Sequence, residues 1–215
     1  MELKLIFLII LGIVSIVYLV SLYFKFSVYQ AVLKASLVPL ILAVYIFSAD
    51  RIIVLIILAL VFGWLGDVLL LKGNDFRFFA AGLVSFLLGH ICYIIAMGCF
   101  IEQFNVTVLV ISAALSVIFG LTAFKIINPV KTMKTPVFAY KTAILIMVIF
   151  ALQIFITKGG SFGILVFTGS LLFLSSDSTL AYDTFKKPTK YGKYFLMITY
   201  ILAQLLIALG FAAVK

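Results

Sequence analysis

The sequence predicts an all-α membrane protein, a polytopic bundle of about eight transmembrane helices. Two observations predict this class. Of the 215 residues, 66% are hydrophobic and only 11% are charged, whereas a soluble domain carries about 25% charged residues. The apolar residues also fall into eight runs, each near the roughly 20 residues that a helix needs to cross a bilayer. We therefore expect the whole chain, residues 1–215, to form a single transmembrane domain.

The eight predicted spans follow one another along the chain, with short polar connections between them. They are approximately residues 5–24, 32–48, 52–71, 78–100, 106–124, 142–157, 163–182 and 194–214. The first span begins like a signal peptide, after Lys4, but its apolar run has no small-residue cleavage site, so we expect it to be retained. The second span is the weakest, because it is short and contains Pro39.

The distribution of basic residues predicts the orientation of the bundle. Twelve of the 16 Lys and Arg side chains fall on one side of the predicted spans. The other four are Lys4, Arg51, Lys158 and Lys215. The positive-inside rule then places both termini outside, with the loops after the odd-numbered spans in the cytoplasm, and we expect a bacterial inner membrane. The parity changes if the second span does not cross. No basic segment is long enough to predict nucleic-acid binding.

The two halves of the sequence resemble each other around two aspartates. Residues 60–70 align with residues 170–180, so that Asp67 matches Asp177, and a leucine follows each aspartate by three residues. An internal duplication of four plus four spans, with half-repeats 1–104 and 105–215, would make the halves parallel, since four is an even number. Apolar helices also align passably without common origin, which is the alternative.

Asp67 and Asp177 are the candidate catalytic residues. They are the only two of seven acidic residues inside the predicted spans, where a carboxylate is costly and faces a partner in the bundle. Each precedes the predicted cytoplasmic end of its span by about five residues, which predicts equal depth. Two facing carboxylates cannot both ionise cheaply, so we expect one to hold a proton, as general acid/base chemistry requires. The alternative is that both only hydrogen-bond neighbouring helices.

Further polar side chains in these spans are candidate substrate-binding residues. They are His90, Tyr93, Ser176, Tyr200 and Gln204. His90 and Tyr93 are three residues apart and therefore share a helix face. The alternative for each of these side chains is a role in helix packing. Because His90 is the only histidine, and Cys92 and Cys99 lack metal-ligand spacing, we expect no metal site and no cofactor.

Basic residues surround the two aspartates at the predicted cytoplasmic end. They are Lys34, Lys72, Arg77, Lys141, Lys186 and Lys187. Such side chains could hold a lipid phosphate, and Lys34 is the candidate substrate-binding residue among them. The alternative is that they only reach for the interface and set the topology.

In these motifs the sequence resembles the YhhN family of membrane proteins, to which the animal transmembrane lysoplasmalogenases belong. The motifs of spans three and four are Gly66-Asp67 with Leu70, then Gly82, Phe86, His90 and Tyr93. Those of spans seven and eight are Ser176-Asp177 with Leu180-Ala181 and Phe185, then Thr199-Tyr200 with Ala203-Gln204-Leu205-Leu206-Ile207. In the second span the family often has a Lys-Pro pair, whereas here Ala35 follows Lys34 and the proline comes at Pro39.

The resemblance implies a hydrolase that cleaves the vinyl-ether bond of lysoplasmalogens, releasing a fatty aldehyde and a glycerophospho-ethanolamine or -choline. Asp67 and Asp177 would then be an acid and its partner carboxylate, as in glycoside hydrolysis. The candidate substrate-binding residues would position water or lipid. The expected partners are a lysophospholipid substrate and membrane lipid, and the oligomeric state is left open.

Two other functions stay open from the residues alone. A proton-coupled carrier also suits intramembrane acids and parallel repeats, and it predicts broken spans at matching positions of both halves. The prolines do not repeat near the aspartates, which disfavours a carrier. The other alternative is a lipid-binding membrane protein without catalytic activity.

Overall fold

A computed structural model describes residues 2–24, 27–72 and 75–214, excluding the side chains of residues 27 and 28, and within these ranges the chain is helical with no strand. The helices are α1 (Glu2–Phe24), α2 (Ser27–Ser48), α3 (Val54–Leu70), α4 (Phe76–Gly98), α5 (Val106–Ile127), α6 (Lys134–Thr157), α7 (Gly160–Phe185) and α8 (Gly192–Ala212). A short 3-10 turn, Lys131–Met133, leads into α6.

The helices confirm the predicted polytopic bundle. Seven of those described are long and apolar enough to cross a membrane, and α3, with 17 residues, is slightly shorter. The chain is therefore an integral multi-pass membrane protein. The second predicted span forms a full helix, although Pro39 lies inside it. α3 starts later than predicted because Ile53 stays extended, where its backbone N–H donates a hydrogen bond to the Tyr45 hydroxyl at 2.9 Å.

Most consecutive helices pack against each other, and α8 also contacts α1, α2 and α3. α3 packs against α4, and α7 packs against α8; these are the two pairs that an internal duplication would make equivalent. Contacts between α2 and α8, and between α4 and α6, join the two halves. The duplication and the orientation of the termini remain predictions.

Small residues allow each helix that carries an aspartate to approach the next helix along the chain closely. A Cβ on Gly66 would lie 2.6 Å from Cε2 of Phe86, so α3 and α4 meet there without space for a methyl group. A Cβ on Gly169 would lie 2.8 Å from Cγ1 of Ile207, which makes the same point for α7 and α8. Membrane helices commonly associate through such small residues, since lipid provides no hydrophobic driving force between them.

α5 is the peripheral helix of the bundle. Ile127 is its only buried residue. Its N-terminus is tied to α6 by Gln153, whose Oε1 accepts a hydrogen bond from the backbone N–H of Asn105 at 2.9 Å. Its C-terminus ends at Asn128 in the left-handed conformation that commonly terminates helices. Most of the surface of α5 is therefore left to face lipid.

Candidate active site

Asp67 is held by two partners, one for each carboxylate oxygen. It lies three residues before the end of α3 and is 4% exposed. Nζ of Lys34, on α2, lies 3.2 Å from Oδ1, and the hydroxyl of Tyr200, on α8, donates a hydrogen bond to Oδ2 at 2.6 Å. Three helices therefore meet at this carboxylate.

A chain of hydrogen bonds leads from α4 to Asp67. The hydroxyl of Tyr93 donates to Oε1 of Gln204 at 2.6 Å, and Nε2 of Gln204 donates to the Tyr200 hydroxyl at 3.3 Å. Tyr200 in turn donates to Asp67. Every donor points toward the aspartate, and all four side chains are buried. With Lys34 on its other oxygen, Asp67 is therefore arranged as a hydrogen-bond acceptor on both sides.

Asp177 has a different environment. It lies on α7, is 8% exposed, and accepts a hydrogen bond at Oδ2 from the hydroxyl of Tyr140, on α6, at 2.5 Å. Within the described residues, no cation lies at ion-pair distance from Asp177. Asp177 therefore has one neutral hydroxyl as its partner, whereas Asp67 has both a hydroxyl and an ammonium group.

A small cavity adjoins Asp177 but not Asp67. It lies between the ends of α3 and α7 and the beginnings of α4 and α6, and its volume is about 30 Å³. Its polar lining comes from Tyr140, Lys141, Asp177 and Thr184, while leucine, phenylalanine, valine and alanine side chains form the rest. The space suffices for a water molecule. Asp177 is thus an acid at the inner wall of an apolar slot.

The two aspartates are close but do not bind each other. They lie within electrostatic range, yet no hydrogen bond between them is present in the described part of the chain. Each carboxylate instead has its own tyrosine donor, and the expectation that one of them holds a proton stays a prediction. The equal spacing from the helix ends fails, since Asp177 lies eight residues before Phe185 and Asp67 only three before Leu70.

His90 lies beside the site without contacting either carboxylate. Its Nδ1 is 2.7 Å from the carbonyl oxygen of Phe86, one turn earlier on α4. Its ring packs edge-on against the rings of Tyr140 and Phe173, with centroid distances of 5.4 and 4.6 Å. Its buried Nε2 has no hydrogen-bond partner among the described residues. His90 therefore supports Tyr140 through packing, and its free nitrogen is available to a ligand.

Ser176 serves helix packing in this structure. Its hydroxyl donates to the carbonyl oxygen of Leu196 at 3.0 Å, which links α7 to α8. Ser175 and Ser178, the other nearby serines, bond back to carbonyls on their own helix. This is the packing role that was the alternative for Ser176, and its part in substrate binding stays a prediction.

Two residues of the site were not predicted from the sequence as site residues. Tyr140 was not among the candidates, and Lys141 was only one of several basic residues, because the sixth span was predicted to begin at Thr142. One signal could have found them. Lys34 precedes Asp67 by 33 residues and Lys141 precedes Asp177 by 36, so each aspartate has a lysine at a similar distance before it.

Comparisons with known proteins place the chain in a family and identify two similar proteins. The profile of the YhhN family matches residues 29–211. The lysoplasmalogenase TMEM86B of Sus scrofa is 34% identical over 132 residues, and that of Homo sapiens is 34% identical over 135 residues. Each alignment covers 61% of this chain and 53% of the relative, so the chain spans about half the length of these curated relatives. No solved structure matches the chain.

Proposed function

The chain belongs to the YhhN family, and from this premise we propose that it is a lysoplasmalogenase-like hydrolase embedded in the membrane. The reaction is hydrolysis of the vinyl-ether bond of a lysoplasmalogen to a fatty aldehyde and a glycerophospho-ethanolamine or -choline. The relatives named lysoplasmalogenase support this activity. The observation that carries it is Asp177, bonded to Tyr140 at the wall of an apolar slot.

Asp177 is the proposed proton donor. A vinyl ether is cleaved by protonation of its outer vinyl carbon, which leaves a cation shared between the inner carbon and the ether oxygen. Water adds to that carbon and loses a proton, and the resulting hemiacetal collapses to the aldehyde and the glycerol hydroxyl. The proton removed from water returns to Asp177, so the acid is regenerated. The carboxyl group acts first as an acid and then as a base, as in glycoside hydrolysis.

Asp67 is proposed to act as a fixed negative charge. Its oxygens accept from Tyr200 and face Lys34, so it has no free position from which to donate a proton. It lies within electrostatic range of Asp177, where a negative charge stabilises the cation that forms in the transition state. The two aspartates thus divide the roles of acid and charge stabiliser. No metal has a part in this proposal.

The apolar slot suits the hydrocarbon part of the substrate. Its walls carry leucine and phenylalanine side chains, which include Leu83 and Phe86 of α4. At about 30 Å³ the slot holds water but not a lipid chain, so the substrate must widen it by moving side chains, as ligands commonly do. His90 packs behind Tyr140 outside the lining of the slot, and its unpaired Nε2 is the candidate to contact substrate or water once the slot widens.

The position of the slot favours an enzyme over a carrier. Its lining comes from one end of the bundle, where α3 and α7 finish and α4 and α6 begin. A carrier needs access from both sides. A lipid-binding protein without activity would share the slot, and only an assay of turnover separates it from the proposed enzyme.

Purified protein incubated with 1-alkenyl-lysophosphocholine tests the proposal. We expect release of aldehyde, with loss of activity in Asp177→Asn and Asp67→Asn and full activity in Asp50→Asn, a matched control at an exposed acid. In D₂O the aldehyde should gain one deuterium next to its carbonyl. In ¹⁸O water the glycerol product should contain no ¹⁸O, because the bond that breaks is on the vinyl side. Full activity in both site variants would overturn the mechanism.

A further inference from the structure

Lys141 is a buried cation beside the slot. It lies on α6, next to Tyr140, and is 6% exposed. Its Nζ has no hydrogen-bond partner within the described residues, and no carboxylate lies at ion-pair distance. The side chain lines the slot together with Asp177. A buried polar group without a partner is uncommon in native proteins and requires an explanation.

The contact that Lys141 does make does not compensate for its burial. Nζ lies 5.9 Å from the centre of the Phe119 ring, at the outer range of a cation–π interaction. Such an interaction is weaker than the penalty for taking an ion out of water. Asp177 lies within electrostatic range of Nζ but beyond ion-pair distance, so the charge of Lys141 is only partly compensated.

Lys34 shows what a compensated lysine looks like in the same protein. Its Nζ lies 3.2 Å from Oδ1 of Asp67, so a carboxylate already neutralises its charge. The sequence predicted that Lys34 binds the substrate, which stays a prediction, and the structure adds that it forms an ion pair with Asp67. Lys141 is the buried lysine at the site whose charge is still available.

We propose that Lys141 binds the phosphate of the substrate, so that the site recognises a single-chain lipid with a phosphate group rather than an ether lipid in general. This inference rests on the proposed function and deepens it. The apolar slot takes the chain, and the ammonium takes an oxyanion within reach of the bond that Asp177 protonates. The long flexible stem of lysine lets Nζ follow the phosphate as the slot widens.

The ligand chemistry is that of a phosphate ester or of free phosphate, and binding experiments separate the two. The full chain in a non-ionic detergent is titrated with 1-alkyl-lysophosphocholine, whose saturated ether cannot be cleaved by the proposed reaction. Parallel titrations use 1-alkylglycerol of the same chain length, which lacks the phosphate, and inorganic phosphate. The measured quantity is the apparent Kd from the shift in thermal unfolding midpoint.

The wild-type protein should bind the lysophospholipid more tightly than the alkylglycerol, and inorganic phosphate should not stabilise it. Lys141→Met should weaken lysophospholipid binding about tenfold or more, the usual effect of losing a charged hydrogen bond, and leave alkylglycerol binding unchanged. Lys141→Arg should keep most of the preference. Lys134→Met is the matched control, because Lys134 lies on the same helix but is exposed, and it should behave as wild type.

Three results would overturn the inference. One is an unchanged preference in Lys141→Met; another is an equal loss in Lys134→Met, which would indicate general surface charge; the third is binding of inorganic phosphate as tight as that of the lipid. Lys141→Met removes a buried charge, so the variant should fold, and its unliganded unfolding midpoint checks this. Because the titrations need no turnover, absence of aldehyde would reject the proposed function without deciding this point.

Discussion

Nζ of Lys34 lies 3.2 Å from Oδ1 of Asp67, so the buried aspartate of α3 has a half-buried cation as its counter-charge. Removing either partner leaves the other charge buried and alone, which costs about 3–5 kcal/mol. We therefore expect Lys34→Met and Asp67→Asn each to lower the thermal unfolding midpoint in detergent.

The double variant Lys34→Met/Asp67→Asn tests whether the two effects share this cause. It should recover most of the lost stability, because no unpaired charge remains, while aldehyde formation stays absent. If the losses of stability in the single variants simply add in the double variant, the two groups do not stabilise each other.

Tyr140 is expected to be a positioning residue for Asp177. Tyr140→Phe removes the hydrogen bond to Oδ2 but keeps the ring that packs against His90. We expect kcat to fall about 5–100-fold, the range for losing a hydrogen bond to an ionisable group, with little change in KM. Steady-state kinetics on the alkenyl substrate measure both. Tyr182→Phe, an exposed tyrosine on α7, is the control and should match wild type; a normal kcat in Tyr140→Phe would remove Tyr140 from the mechanism.

Gln204 forms hydrogen bonds with two tyrosines, so replacing it should lower stability through both of them. Gln204→Leu leaves the Tyr93 hydroxyl without its acceptor and the Tyr200 hydroxyl without a donor. A buried group left unsatisfied costs about 1–3 kcal/mol, seen as a lower unfolding midpoint. Adding Tyr93→Phe should restore part of the lost stability, because this change removes the hydroxyl that has no acceptor. Equal midpoints for the single and double variants would show that Tyr93 finds another partner.

The contact between α7 and α8 should not tolerate a methyl group at Gly169. In Gly169→Ala the new Cβ would lie 3.0 Å from the carbonyl oxygen of Ala203 and closer still to Ile207. We expect a loss of about 1–3 kcal/mol, the usual cost of overpacking, measured as a lower unfolding midpoint. Gly12→Ala is the control, since a Cβ there meets nothing within 4 Å. A stable Gly169→Ala would mean that α7 and α8 can separate without cost.

The fold was predictable because the apolar period and length of each span are local properties. Val106–Ile127 shows this: its run of apolar residues predicts a helix, whatever that helix packs against. Its peripheral position was not predictable, since neighbouring spans are equally hydrophobic and lipid does not separate buried from exposed faces. Helix ends were predicted least well, as at α3, where the backbone N–H of Ile53 donates to the Tyr45 hydroxyl of the preceding helix just before α3 begins.

Only those site residues could be predicted whose burial in a membrane is energetically costly. Asp67 and Asp177 stood out because an acid inside a span needs a partner. Which side chain of the preceding helix reaches each aspartate depends on how the two helices pack. The spacing of the lysines before the aspartates indicates the helix, but not that Lys34 pairs with one aspartate and Tyr140 with the other. Ser176 was a candidate because it precedes Asp177, but the sequence does not show that its hydroxyl has a backbone acceptor on α8.

The hydrogen bond from Tyr200 to Asp67 spans 133 residues of sequence, and this separation bears on the order in which the protein is assembled. At ribosomal rates, α8 emerges on the order of ten seconds after α3. During that interval Lys34, already synthesised on α2, is the only one of the two partners of Asp67 that exists. We therefore expect the α2–α3 hairpin to leave the translocon as an ion-paired unit, with Lys34 as the early counter-ion for a helix of 17 residues that contains an aspartate.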